Sequence, residues 1–167
     1  GERRELRGEE RRQRQVCIRD SHRAEAEKSF AFMSDAFITA VAPDQMGPGV
    51  TMREVLDAAA PRIGEHFAGS PVAEAKVRFT FGRTYLDLGL YRQALEQFVH
   101  AHEVRLTALG PDHPDTLQTL DGHANALLRL GRLDDADPII EDAVAGRSRV
   151  LGPLHEDTLT TTTRATT

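Results

Sequence analysis

The chain has 167 residues, 40% of them hydrophobic and 28% charged, with a formal net charge of −5. That length fits one domain, or one domain with an extension. Residues 1–29 carry nine Lys/Arg against seven Asp/Glu and the remainder twelve against nineteen, so the body is acidic, which argues against nucleic acid as the main partner.

Cys17 is the only cysteine, so no internal disulfide can form, and a reducing, cytoplasmic setting is expected. No uncharged apolar run is long enough to span a membrane. The charged N-terminus has no apolar stretch behind it of the kind a secretory signal needs. The chain starts at Gly1 and stops soon after a repeat begins, so a piece of something longer is expected. Ala, Leu, Arg and Glu dominate and no long alternating run of Val, Ile or Thr occurs, a balance that favours helices.

Residues 1–29 hold little that is apolar beyond Leu6, Val16, Cys17 and Ile18, and they predict a long, solvated, charged helix or linker. From Phe30 to Val41 the pattern changes. Phe30, Met33, Phe37 and Val41 recur at helical spacing and form one apolar stripe, which Pro43 ends. After the turn-rich stretch 44–49, Thr51 with Glu54 forms a capping box that opens a helix with Val55, Leu56, Ala59, Ile63 and Phe67 on its buried side. Pro61 should kink or shorten that helix. Gly69-Ser70-Pro71 then reads as a stop, an N-cap and a first helical residue.

Two helix pairs follow, from about 71 to 109 and from about 114 to 151, with turns at Gly89 and Gly131. The stretch Leu109-Gly110-Pro111-Asp112-His113-Pro114-Asp115-Thr116-Leu117 returns 42 positions later as Leu151-Gly152-Pro153-Leu154-His155-Glu156-Asp157-Thr158-Leu159, identical at seven of nine positions. A fixed period in the range of about 20–50 residues marks a stacked-repeat protein. In register, Gly82 falls on Ala124, Tyr85 on Leu127, Leu88 on Leu130, Ala94 on Ala136, Phe98 on Ile140 and Ala101 on Ala143. Small residues stand where two helices must approach, and large ones where the pair leaves a gap. The tail 158–167 begins a third copy, but its threonines are poor helix formers and it is expected to fray.

This register resembles the tetratricopeptide pattern. The 42-residue period and the Leu-Gly-x-x-His-x-Asp-Thr-Leu loop are similar to the repeats of kinesin light chains and of many bacterial multi-repeat proteins. Residues 134–140 look like the opening of the second helix in that family, with Pro138 in the early turns. Ala24–Val41 followed by Val50–Ala60 resembles the region that joins a kinase domain to such repeats in large bacterial serine/threonine kinases. Asp121-Gly122-His123-Ala124 departs from the family's Asn-Asn-Leu-Ala, and Glu156 from its usual proline.

The resemblance implies an all-α, helix-pair superhelix: a charged helix or linker (1–29), a two-helix cap and connector (30–69), two complete repeats (70–110 and 112–151) and a truncated third (152–167). It implies a non-catalytic module that binds a peptide or partner protein, within a larger bacterial signalling protein such as a serine/threonine kinase. The alternative is a structural spacer that only self-associates.

No phosphate-binding Gly-rich loop, catalytic-loop His-Arg-Asp or Asp-Phe-Gly is present, so the chain itself is expected to be no enzyme and to need no cofactor. His100 and His102 are two apart and diverge, which is not metal-ligand spacing on a helix. His113 and His155 are repeat equivalents, expected to bond backbone at a helix start while Asp115/Thr116 and Asp157/Thr158 help to cap. In such superhelices the concave wall is formed by each pair's first helix. Its outward positions here are Lys76, Phe79, Arg83 and Leu86 in the first repeat, and Gln118, Asp121, Asn125 and Leu128 in the second. Arg83 and Asn125 are equivalent and suited to peptide carbonyls or a carboxylate.

Overall fold

The computed structural model describes residues 23–35 (apart from 25 and 33) and 51–165, with side chains to residue 161. Its contacts divide the chain into two units, 1–49 and 50–167, so the boundary falls inside the 30–69 segment. Most of the charged stretch, the loop at 44–49, and Met33, Phe37 and Val41 lie outside the described residues. The described part of 23–35 is helical, with an exposed Arg23–Glu27 pair at 2.8 Å one turn apart. The expected apolar stripe needs one correction. Phe30 of that stripe is 74% exposed, while Phe32, which is two positions on and not part of the stripe, is buried.

The described part of the second unit begins at Thr51, whose hydroxyl accepts from Glu54 N at 3.3 Å while Thr51 N donates to Glu54 Oε2 at 2.8 Å. This capping box opens α1 (Met52–Ala59). Pro61 has the expected effect: a 3₁₀ turn, Ala60–Arg62, separates α1 from the short α2 (Ile63–His66). Val55, Leu56, Ala59, Ile63 and Phe67 are all buried. The Tyr85 hydroxyl donates to Asp57 Oδ1 at 2.8 Å and ties this segment to the next helix.

Four long helices follow: α3 (Pro71–Asp87), α4 (Tyr91–Leu109), α5 (Pro114–Arg129) and α6 (Leu133–Leu151), then α7 (Glu156–Ala165). The breaks between them are glycines. Gly89, Gly110, Gly131 and Gly152 have φ of +74°, +89°, +73° and +93°, and they are the only positive-φ residues among those described. Only glycine enters that region without Cβ strain, so each ends its helix. Within each pair the turn closes the same way: Leu90 N donates to the Tyr85 carbonyl at 2.8 Å and Arg132 N to the Leu127 carbonyl at 3.0 Å.

Each helix packs chiefly on its neighbours in sequence, and α3 also touches α5. Ala94, Ala101, Ala136 and Ala143 are fully buried and let the helices approach, with Phe81, Tyr85, Phe98, Leu127 and Ile140 filling the space between. Leu88 differs from its expected core role and is 46% exposed. Phe98 is gripped by two helices. A Cβ added at Gly82 would lie 2.9 Å from its ring, and one at Gly122 2.5 Å. Two helices thus close on the same ring atoms because both lack a side chain there.

The threonine-rich tail, expected to fray, is helical as far as Ala165. Thr158 and Thr161 are buried, and the Thr160 and Thr161 hydroxyls donate to carbonyls one turn back at 2.9 Å. Packing on α6 overrides the weak propensity.

Candidate functional site

The turns that carry the duplicated stretch are capped by histidine. His113 Nδ1 accepts from Asp115 N at 3.1 Å, and His155 Nδ1 from Asp157 N at 3.3 Å. Thr116 takes no part in the cap and is fully buried, while Thr158 Oγ1 donates back to the Gly152 carbonyl at 3.0 Å. The histidines therefore do the capping themselves, ahead of their Asp and Thr neighbours. Among the described residues no group of three or more His, Cys, Asp or Glu is arranged to hold a metal.

The structure brings six of the eight expected wall residues to one cleft of about 340 Å³ between α3 and α5: Phe79, Arg83, Leu86, Gln118, Asp121 and Asn125. Asp87, Phe98 and Gly122 complete its lining. Lys76 is exposed and stands outside this cleft. Leu128 is partly buried and packs beside Ala124, Leu127, Ala136 and Ile140, so it belongs to the core rather than to the wall.

The six differ in how free they are. Phe79 lies 5.7 Å from Phe98, edge to face, and the Arg105 guanidinium sits 4.8 Å from its ring centre. Asp121 is not free for a ligand either, because its carboxylate receives both Nη atoms of Arg147, one at 2.7 Å. Arg83, Gln118 and Asn125, by contrast, make no side-chain hydrogen bond or ion pair among the described residues. They bring cationic and amide donors to an apolar floor of Phe79, Leu86 and the Phe98 ring, which is reached past Gly122. A second cleft of about 390 Å³, lined by Leu117, Arg147, Leu151 and Asp157 among others, shares Gln118 and Asp121 with the first. The second cleft is thus a neighbour of the first, set between α5, α6 and the start of α7.

Sequence reasoning does not single out Arg105 and Arg147. They are 42 residues apart, equivalent in the repeat, and only 4% and 8% exposed. Arg105 Nη1 donates to the Asp115 carbonyl at 2.7 Å and to Thr119 Oγ1 at 2.6 Å. Arg147 bonds Thr161, the equivalent of Thr119. Where Arg105 then stacks on Phe79, Arg147 meets Asp121, which occupies the Phe79 position. The surroundings separate the two: burial pushes the Arg105 guanidinium below its ordinary range, while the Asp121 hydrogen bonds hold Arg147 above it. The signal is present in the sequence as an arginine and a threonine that recur at a fixed period, each at a position facing the next helix.

Comparison with known proteins agrees with this architecture. A tetratricopeptide repeat family model matches residues 73–148. Nephrocystin-3 of Mus musculus is 38% identical over 64 residues, which is 38% of this chain and 5% of that protein. Nephrocystin-3 of Xenopus laevis is 39% identical over a stretch of the same length and share. The match thus spans only a small part of those relatives. A crystal structure of nearly identical TPR-like repeats from a candidate kinesin light chain of Podosopora anserina superposes with a TM-score of 0.52 at 15% identity, covering 86% of this chain and 82% of that one. At that identity the likeness is one of fold. Such repeats form non-catalytic scaffolds that generally mediate protein–protein interaction. No helix among the described residues is long and apolar enough to cross a membrane. The helix pairs across residues 73–148 are tetratricopeptide repeats.

Proposed function

We propose that this chain binds an extended segment of a partner protein along the α3/α5 wall. The observation that carries the reading is the set of unengaged donors Arg83, Gln118 and Asn125, which come from consecutive first helices and face one cleft over an apolar floor. A strand-like peptide leaves its carbonyls unpaired, and donors at this spacing satisfy them or grip a carboxylate. Asp121, already neutralised by Arg147, shapes the wall without repelling an acidic group.

Panning a random peptide library on the immobilised full chain, then measuring the selected peptide by fluorescence anisotropy, tests the reading. An Arg83→Ala/Asn125→Ala double variant with unchanged helicity should bind at least about tenfold more weakly. Equal affinity in the variant overturns the assignment of the groove.

The resemblance of Ala24–Val41 and Val50–Ala60 to kinase-linking segments supports a wider setting: a partner-binding part of a bacterial signalling protein such as a serine/threonine kinase, in the cytoplasm. Sequencing the locus upstream of residue 1 tests this, because a kinase catalytic loop should be encoded there and its absence rules the setting out. Self-association is the second reading. It is favoured by Val150, Leu151, Leu154 and Leu159, which are 44%, 42%, 85% and 48% exposed at the α6/α7 end. Sedimentation of the full chain decides it: a monomer across the concentration range removes this reading.

A further inference from the structure

The seam between the two repeats carries ionisable groups where the repeat pattern places apolar ones. The helices α4 and α5 run antiparallel, since Arg105 meets Asp115 and Thr119 while Phe98 meets Gly122. Beside those contacts α4 contributes His102 and α5 contributes His123. In register, His123 stands where the first repeat has Phe81, which is 1% exposed, and His102 stands where the second has the partly buried Val144. Both histidine Nδ1 atoms are shut off from solvent and have no hydrogen-bond partner among the described residues, and Thr116 Oγ1 of the same seam is in the same position.

We propose that His102 and His123 make this seam a pH-responsive joint, tight while both imidazoles are neutral and loosened when they take up protons. A neutral ring tolerates an unpartnered Nδ1 lone pair, whereas a protonated ring presents a second N–H donor with nothing to receive it. Protonating both also places like charges in one interface.

The surrounding groups decide the sign. Asp142 of α6, Glu103 of the same helix and the Thr116 backbone of α5 all favour a charged His102, but burial outweighs them and holds the ring below the ordinary histidine range. Burial does the same to His123, helped by His102 and by Arg132. The folded chain therefore binds fewer protons than the unfolded chain once pH falls below the ordinary value of about 6.5. Stability is unaffected well above that value, falls as pH drops through it, and stops falling below the depressed values of the folded state. The next seam, between α6 and α7, has Val144 in place of His102 and lacks the joint.

Urea denaturation of the full chain at pH 7.5 and 5.5 tests this, with a His102→Val/His123→Leu double variant beside the native protein. Between pH 7.5 and 5.5 the native folding equilibrium constant should fall by up to about tenfold for each of the two histidines beyond the fall in the variant. Equal falls in both overturn the proposal. Should the double variant not fold, NMR titration of the native imidazoles gives an independent answer: both must titrate below about 6.5, and titration of either at or above that value overturns it. His102→Val alone should move the His123 titration upward, which a residue that merely fills space would not do.

Discussion

Arg147 and Asp121 show how a single residue changes its role with its partner. The same helix position holds Phe79 in one repeat and Asp121 in the next, and the buried arginine behind it answers with ring stacking in the first case and a two-pronged ion pair in the second. The Arg147 and Asp121 side chains are 10% and 23% exposed, so solvent and salt screen the pair weakly. Asp121→Ala strands a buried guanidinium and should cost about 2–4 kcal/mol in urea denaturation. A double variant with Arg147→Leu should recover part of that loss, and simple addition of the two losses would show that the pair is not coupled. Sequence places Asp121 on the wall but does not reveal its partner. The partner lies 26 residues away on another helix, and helical periodicity reports which face a residue takes, not what it meets there.

At the scale of elements, the helix ends are legible because their chemistry is local. The glycine breaks, the Thr51–Glu54 box and the proline effects all follow from neighbours within a few residues. His113→Ala should cost about 1 kcal/mol through loss of the α5 cap, and a change within a few tenths would show that the histidine is idle there. The tail escapes such a reading for the converse reason. Its propensity is local, but its helix is held by burial against α6, which propensity does not report. Gly122 tests the close approach of α4 and α5. Alanine improves helix propensity by about 1 kcal/mol, yet its Cβ would fall 2.5 Å from the Phe98 ring. Gly122→Ala should therefore be net destabilising by about 1–3 kcal/mol, and a stabilised variant would mean that the ring yields freely.

For the molecule as a whole, the 42-residue recurrence carries the architecture, since an offset shared by loop, glycines and buried alanines leaves only stacked helix pairs. Recognition is harder to read. The wall positions follow from that geometry, but Lys76 and Leu128 show that knowing the face does not decide which of its side chains line a cleft, because packing against neighbouring helices also decides it. The stack presents two neighbouring clefts that share Gln118 and Asp121, and the proposed partner segment lies in the one between α3 and α5. Amide chemical-shift mapping of the full chain, titrated with the library-selected peptide, tests this most directly. Shifts should cluster on α3 and α5 around Arg83, Gln118 and Asn125, whereas shifts confined to the outer faces of α4 and α6 would rule the groove out.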